Sequence, residues 1–139
     1  MTIRLPSGAE LIRQWFEASP FGAHLGLRLI RLEQDLAEVG MPFTPALATA
    51  GDVVHGGAIS TLIDTAATVV AWSGADVPAG TRGATAALTV SFVAAARGGD
   101  LTATARVLRR GRSLCFCDVD VTAADGALVA KGLATYKLG

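Results

Sequence analysis

The spacing of apolar and polar residues divides the chain into extended and helical segments. From residue 84 onward apolar positions alternate with polar ones, as in "ALTVSF" and "LTATARV", and this period of two predicts β-strands. Short connections with glycine, "ARGGD", "RRGR" and "ADGA", separate four such segments, which is typical of antiparallel hairpins. The segment "HLGLRLIRLEQDLAEVGMPFTP" predicts two further strands, with a polar turn near Glu33 to Asp35.

Two other segments have helical periodicity. "SGAELIRQWFEAS" places Glu10 three residues after Ser7, the pattern of a capping box, and we expect "SPFG" to end this short helix. "VVHGGAISTLIDTAATVVAW", from Val53 to Trp72, predicts one long helix, and "ALATAGDVV" before it predicts a loop. This order of elements predicts an α+β fold, in which an antiparallel sheet of about five to six strands packs around one long helix.

Length and charge narrow the classes of function. The 139 residues, 51% of them hydrophobic, predict a single domain over residues 1–139, with the N-terminal helix and its lead-in at 1–20. The 12 basic residues balance the 12 acidic ones, so we expect neither nucleic acid nor a membrane surface as a partner. No apolar run is long enough to span a bilayer, and the first residues lack the apolar core of a signal peptide. We therefore expect a cytoplasmic protein.

The two cysteines, Cys115 and Cys117, lie two residues apart on a predicted strand. Side chains with this spacing face the same side of a strand, and neighbouring cysteines on one strand rarely form a disulfide. The only histidines are His24 and His55, too few to complete a metal site with the two thiols. We expect free, buried thiols in a reducing compartment and no bound metal.

The long helix carries its polar residues in one stripe. Ser60, Asp64 and Thr68 follow an i, i+4 row, with Thr61 and Thr65 beside it. Solvated helix faces usually carry lysine, glutamate, glutamine or arginine, whereas this stripe has only short hydroxyl side chains and one acid. We therefore expect another surface to cover the stripe, with Asp64 in a cleft where it acts as a general base. The alternatives are a solvated face and a structural aspartate held by hydrogen bonds.

Two glycines, Gly56 and Gly57, precede the stripe at the start of the helix. Free N–H groups and the positive end of the helix dipole favour negative charge there, and a ligand can approach the bare backbone closely. N–H groups for an oxyanion and a carboxylate that activates water are two parts of an acyl-transfer site. Gly56 and Asp64 are separated by about 12 Å along a helix, too far to contact one carbonyl. We therefore predict a two-fold homodimer with two composite sites, each combining Gly56 of one chain with Asp64 of the other.

The same residues carry a family resemblance. "HGGAISTLIDTA" resembles the His-Gly-Gly-x4-Leu-x-Asp-x-Ala motif of the PaaI-like hotdog-fold acyl-CoA thioesterases. The similarity extends from about Phe21 to Lys137 through "HLGLRL", "ALTVSFVAAARGGDLTATARVLRRGRS" and "KGLATYKL". The resemblance implies a hotdog fold and a homodimer that pairs further into a dimer of dimers. It also implies hydrolysis of an aryl- or medium-chain acyl-CoA, with no cofactor apart from the coenzyme A of the substrate.

The resemblance further implies roles for five residues. Asp64 corresponds to the catalytic carboxylate, acting as general base or nucleophile, and the N–H of Gly56 from the other subunit polarises the thioester carbonyl. His55 orients the thioester or the leaving thiol, and Thr85 helps to hold the water. Thr49 departs from the family pattern, because members often carry asparagine or glutamine there and threonine offers no amide N–H.

Further residues are assigned to substrate binding. Arg109, Arg110 and Arg112 surround a predicted turn, and guanidinium groups suit phosphate geometry, so we expect at least one to contact the nucleotide part of coenzyme A. An ordinary solvated turn is the alternative for these three. Gly57 and Thr68 are assigned to the substrate site by their places beside Gly56 and Asp64.

Two rival functions stay open. Hotdog enoyl-CoA hydratases and dehydratases use a histidine with an acid, although their motifs differ from "HGGAISTLID". A non-catalytic acyl-CoA-binding hotdog protein is mildly favoured by the missing amide at Thr49, while Asp64 argues against it. His24 could act as a base, but we interpret it as a polar residue at the start of a strand. We expect the acyl pocket to be lined by residues near Phe21 and Leu62 and by strands of the second chain.

Overall fold

The computed structural model describes residues 6–74 and 77–139. The helices in these residues are α1 (Gly8–Ala18), α2 (Pro20–Leu25) and α3 (Gly56–Trp72), with a 3-10 turn at Pro45–Leu47. The strands are β1 (Arg28–Glu33), β2 (Leu36–Met41), β3 (Ala48–Ala50), β4 (Val53–Val54), β5 (Gly83–Phe92), β6 (Leu101–Arg110), β7 (Leu114–Ala123) and β8 (Leu128–Leu138).

Six of these strands form one sheet in the order β1–β2–β6–β7–β8–β5, with every neighbouring pair antiparallel. The long helix α3 packs on one face of this sheet and contacts β2, β5, β6, β7 and β8. Strands β3 and β4 form a separate hairpin before α3, in the segment "ALATAGDVV" that the sequence predicted to be a loop. The predicted α+β architecture, an antiparallel sheet around one long helix, is confirmed.

Helix α3 lies unusually close to the sheet because small residues meet at the contact. Ala66 and Ala67 of the helix and Ala130 and Ala134 of β8 are all buried. Gly132 of β8 faces Ile63, and a Cβ added at Gly132 would collide with Cγ2 of Ile63. The core around α3 therefore depends on close approach of the β8 backbone to the helix as well as on side-chain packing.

The beginning of α3 differs from the prediction, which placed Val53 in the helix. Val53 and Val54 form β4 instead, and His55 caps the helix by accepting a hydrogen bond at Nδ1 from the N–H of Gly57, at 2.8 Å. Gly57 leaves room for the imidazole, since a Cβ there would lie 2.9 Å from His55 Nδ1. Gly56 and Gly57 do lie at the helix start, as predicted, but histidine is an uncommon N-cap compared with serine, threonine, aspartate and asparagine, so the sequence did not indicate that His55 is the cap.

The other end of α3 is capped by Arg110 from strand β6. Its Nη1 donates to the carbonyl of Ala71 at 2.6 Å, and its Nη2 lies 3.3 Å from the carbonyl of Val70. The same Nη2 donates to Asp35 Oδ1, at 2.8 Å, in the turn between β1 and β2. A cation is favourable at a helix C-terminus, so Arg110 joins the end of α3 to the sheet and to that turn.

The N-terminal region contains one helix more than the sequence predicted. The capping box is confirmed, because Ser7 Oγ accepts from the N–H of Glu10 and Glu10 Oε2 accepts from the N–H of Ser7. Helix α1 ends before "SPFG" as expected, but Pro20 then begins α2, since proline is favoured in the first turn of a helix. His24 consequently lies in the last turn of α2, and its predicted place at a strand start is wrong.

Cys115 and Cys117 are both buried and free, as predicted. Their sulfur atoms lie 3.8 Å apart on the face of β7 that is turned toward α3. The helices of the described residues are too short or too polar to cross a lipid bilayer.

We predict that Gly132→Ala lowers the free energy of unfolding by about 1–3 kcal/mol, because its methyl group forces Ile63 and α3 away from β8. Urea denaturation would measure this change. Gly99→Ala serves as the control, since the nearest atom to a Cβ there is 3.8 Å away. Equal stability of the two variants would show that α3 can shift without loss of packing.

We also predict that His55→Ala lowers the free energy of unfolding by about 1 kcal/mol, because the first turn of α3 loses its cap. His55→Asn should retain most of that stability, since an asparagine oxygen can accept the same N–H. His24→Ala is the matched control on the exposed surface of α2. A stability loss shared by the alanine and asparagine variants at residue 55 would contradict a capping role.

Candidate functional site

Asp64 lies in the middle of α3, where its carboxylate is half-buried and meets strand β5. Thr85 Oγ1 donates a hydrogen bond to Asp64 Oδ1 at 2.6 Å. Within residues 6–74 and 77–139, Oδ2 of Asp64 accepts no hydrogen bond. One oxygen is thus held in place while the other stays available for a proton or for an electrophilic carbon.

A β-bulge turns Thr85 toward the helix. Thr85 pairs with Tyr136 of β8 and Ala87 pairs with Thr135, so Ala86 is the extra residue between two pairings. A bulge reverses the alternation of side chains along a strand. Thr85 therefore faces inward toward Asp64, although regular alternation would place it on the outer face with Ala87.

The two partners of the hydrogen bond between Asp64 and Thr85 line different cavities. The first, of about 270 Å³, is lined by Asp64 together with Trp15 and Phe21 from the N-terminal helices. The second, of about 640 Å³, is lined by Thr85 and Thr68, and Trp15 borders it as well. Helices α1 and α2 therefore cover part of the polar stripe, and Asp64 lies in a cleft, as the composition of the stripe predicted.

The hydroxyl groups of the stripe divide into two kinds. Ser60, Thr61 and Thr65 each donate to the backbone carbonyl four residues earlier, at distances of 2.9, 2.9 and 2.8 Å. Thr68 makes no such bond within the described part of the chain and lines the larger cavity. Thr68 is thus the stripe hydroxyl that is open to a ligand.

The larger cavity contains a polar pair that the sequence analysis missed. Trp72 Nε1 donates to the hydroxyl of Tyr136 at 2.9 Å, and Tyr136 is only 4% exposed. Burial raises the pKa of Tyr136, the hydrogen bond from Trp72 opposes that rise, and the charge of Asp64 adds to it. The tyrosine of "KGLATYKL" could have indicated this pair in the sequence, because the preceding inward-facing positions of β8 hold only glycine and alanine.

The start of α3 gathers most of the other residues assigned to catalysis. Within the described ranges the N–H of Gly56 has no acceptor, whereas the N–H of Gly57 is used by the cap at His55. Gly56 and Thr49 line a cavity of about 410 Å³ together with Phe92. His55 lines a neighbouring cavity of about 250 Å³.

A single chain does not bring Gly56 and Asp64 together. Both belong to the continuous helix α3, more than two turns apart. Gly56 instead lies against the ring of Phe92, where an added Cβ would be 3.2 Å from the nearest ring atom. The two parts of the site therefore lie next to opposite ends of β5. Thr85, near its start, contacts Asp64, and Phe92, at its end, contacts Gly56.

The three arginines assigned to coenzyme A have different environments. Arg109 and Arg112 are exposed at the connection between β6 and β7 and form no ion pair with the described residues. Arg110 is used inside the fold, where it caps α3 and pairs with Asp35. Of the residues expected near the acyl pocket, Phe21 borders the cavity at Asp64, whereas Leu62 is completely buried in the core.

Comparisons with known proteins agree with this architecture. A family model described as the thioesterase superfamily matches residues 51–130, which include α3 and the strands up to the start of β8. Human acyl-coenzyme A thioesterase 13 is 30% identical over 142 residues, covering 100% of this chain and 99% of the relative. The medium/long-chain acyl-CoA thioesterase YigI of Salmonella typhimurium is 29% identical over 133 residues and covers 86% of each chain.

Solved structures show the same arrangement of helix and sheet. A thioesterase family protein from Silicibacter pomeroyi superposes with a TM-score of 0.84 at 28% identity, covering 95% of this chain and 98% of the other. The E. coli PaaI protein shares the fold with a TM-score of 0.82 at 24% identity, covering 94% of this chain and 92% of its own. The family match and the shared architecture together show that the chain belongs to the thioesterase superfamily and is a thioester hydrolase of the hotdog fold.

Proposed function

We propose that this protein hydrolyses an aryl- or medium-chain acyl-CoA to the free acid and coenzyme A, with Asp64 as the catalytic carboxylate. The observation that carries this proposal is the hydrogen bond between Thr85 and Asp64, which leaves Oδ2 without a partner in the described residues, while Asp64 and Thr85 each line a cavity bordered by Trp15. The names of the human and Salmonella relatives, both acyl-CoA thioesterases, support the same substrate class.

The two cavities suit the two arms of a thioester. With the carbonyl carbon beside Asp64, the acyl group extends into the larger cavity and the thiol arm passes through the smaller one. Asp64 Oδ2 takes a proton from a water molecule whose oxygen attacks the carbonyl carbon, and the Thr85 hydroxyl orients the carboxylate. The C–S bond then breaks, and the thiolate leaves with a proton returned from Asp64. Direct attack by the carboxylate is the other route that this geometry permits.

The negative charge on the carbonyl oxygen needs hydrogen-bond donors, and we propose that the N–H of Gly56 in a second copy supplies one. Strand β5 is an edge strand of ten residues, and its free edge offers unpaired backbone groups to another strand. Antiparallel pairing of β5 with its own copy would place Thr85 of one chain near Phe92 of the other. Because Thr85 accompanies Asp64 and Phe92 accompanies Gly56, the same pairing brings Asp64 toward Gly56 of the second copy.

The remaining assignments follow from this dimer. His55 and Thr49 lie beside Gly56 and would reach the thioester from the same side, with His55 Nε2–H as the donor because Nδ1 is used by the cap. We assign the nucleotide of coenzyme A to Arg109 and Arg112 and leave Arg110 to its structural role. We also propose that two dimers pair into a tetramer. We propose a cytoplasmic location as well, which the two free thiols support.

We predict that Asp64→Asn lowers kcat for thiol release by at least about a hundredfold, because asparagine keeps the contact with Thr85 but cannot accept the proton. The assay uses free-thiol detection with short, medium, long and aryl acyl-CoAs. Asp125→Asn is the control, since Asp125 lies in the exposed turn between β7 and β8. Equal activity of Asp64→Asn and wild type would make Asp64 structural, and binding of acyl-CoA without thiol release would favour the non-catalytic alternative.

We also predict that two inactive variants restore activity when they are co-expressed. Gly56→Pro removes the N–H at the first position of α3, where proline is tolerated. Gly56→Ala is the control, because alanine adds a Cβ as proline does but retains the N–H. Random pairing of Gly56→Pro with Asp64→Asn chains yields heterodimers with one intact site, so about a quarter of the wild-type activity should return. No recovery in the mixture would place the whole site within one chain.

A further inference from the structure

The cavity beside Thr85 is lined by polar residues that the proposed hydrolysis does not use. It lies between α1, the second half of α3 and the start of β5, and the rings of Trp15 and Trp72 make much of its wall apolar. Two residues with polar side chains, Arg82 and Tyr136, also line it. An apolar acyl chain fills such a space without using either group.

Tyr136 has a hydrogen to donate. Its hydroxyl oxygen already accepts the N–H of Trp72, and its own hydrogen finds no acceptor in residues 6–74 and 77–139. Because burial raises its pKa, Tyr136 keeps this proton at neutral pH. The hydroxyl of Thr68, four residues before Trp72 on α3, is likewise unpaired within the described chain and lines the same cavity.

Arg82 is a cation without a carboxylate partner among the described residues. Arg31, Arg97 and Arg110 each lie within 4.0 Å of a carboxylate oxygen. Arg82 is instead exposed at the cavity, and its carbonyl is fixed by the N–H of Gly139 at 2.9 Å. The structure therefore positions the backbone of Arg82 and leaves its guanidinium free.

Arg82 and Tyr136 are neighbours in space. Gly83 follows Arg82 directly, and a Cβ at Gly83 would collide with the Tyr136 hydroxyl. Arg82 also precedes Thr85 by three residues, or about 10 Å of extended chain. The Tyr136 hydroxyl, which lies beside Trp72 and Gly83, and the backbone of Arg82 are therefore toward the end of the cavity away from Thr85.

We propose that this end of the cavity binds a carboxylate at the distal end of the acyl group, so that the preferred substrates are medium-chain ω-carboxyacyl thioesters. The inference rests on the proposed thioester hydrolysis. A guanidinium donates two parallel hydrogen bonds to a carboxylate, and a buried hydroxyl adds a third donor. A methyl-ended chain of the same length would form no ion pair with Arg82 and would leave the buried hydroxyl of Tyr136 without an acceptor, which disfavours such a chain.

The test compares suberoyl-CoA with octanoyl-CoA, which differ only by a carboxylate in place of the terminal methyl group. The kcat/KM ratio of the two substrates is measured for wild type and for Arg82→Gln. Arg13→Gln is the matched control, because Arg13 is an exposed arginine on α1 that does not line the cavity. We expect wild type and Arg13→Gln to prefer suberoyl-CoA, and Arg82→Gln to lower the ratio about ten- to a hundredfold.

A phosphate of coenzyme A is the other anion that Arg82 could bind. The N-acetylcysteamine thioester of octanoate has no phosphate, so it distinguishes phosphate binding from binding of the acyl carboxylate. If Arg82→Gln slows both CoA thioesters equally and leaves the phosphate-free thioester unchanged, the guanidinium binds phosphate and the proposal is overturned. A ratio unchanged by Arg82→Gln with no loss on any substrate overturns it as well.

Calorimetric titration with suberoyl-CoA and octanoyl-CoA keeps this inference separate from hydrolysis. Preferential binding of suberoyl-CoA that is lost in Arg82→Gln, without thiol release by wild type, would refute the hydrolysis and retain the carboxylate site. Equal affinity of wild type for both thioesters, with or without turnover, would refute the carboxylate site.

Discussion

Helix α3 lies so close to strand β8 that the position facing Ile63 holds no side chain, and this separation sets the geometry of the molecule. The sheet can bury one face of the helix fully only because glycine and alanine meet there. His55 at one end accepts the N–H of Gly57, and Arg110 at the other donates to the carbonyl of Ala71, so the helix is held along its length and at both ends. The positions of residues on the opposite face of α3, such as Asp64, are consequently fixed relative to β5.

The exposed face of α3 is polar in composition but offers few free polar groups. Ser60, Thr61 and Thr65 turn their hydroxyls back to the helix carbonyls, which leaves Asp64 as the single charge on a surface of small side chains. Such a surface can be covered by another protein surface with little loss of hydration. The N-terminal helices cover one part of it, and the proposed dimer would cover the rest.

Two β-bulges decide which side chains meet α3. Along β5 the alternation of Leu88 and Val90 would place Thr85 on the outer face, and the extra residue Ala86 turns it inward to Asp64. Along β6 the extra residue Leu108 turns Arg110 inward and leaves Arg109 outside. The three arginines of this turn are alike in the sequence, and only the register between β6 and β7 separates the helix cap from the free cations.

The sequence alone determined the order of the two longer helices and the six sheet strands, the hairpins at "RRGR" and "ADGA", the capping box at Ser7 and the polar stripe around Asp64. These features depend on local periodicity and on neighbours within a few residues, which the chain order contains directly. The histidine cap and helix α2 are also local features, but the sequence analysis missed them. The hairpin predicted at "ARGGD" is wrong, because β5 pairs with β8 and not with β6. The inward turn of Thr85 and the meeting of Tyr136 with Trp72 were decided only by the tertiary structure. Each depends on strand register or on contacts between residues far apart in the chain, such as the 64 positions between Trp72 and Tyr136, and local patterns contain no information on those distances.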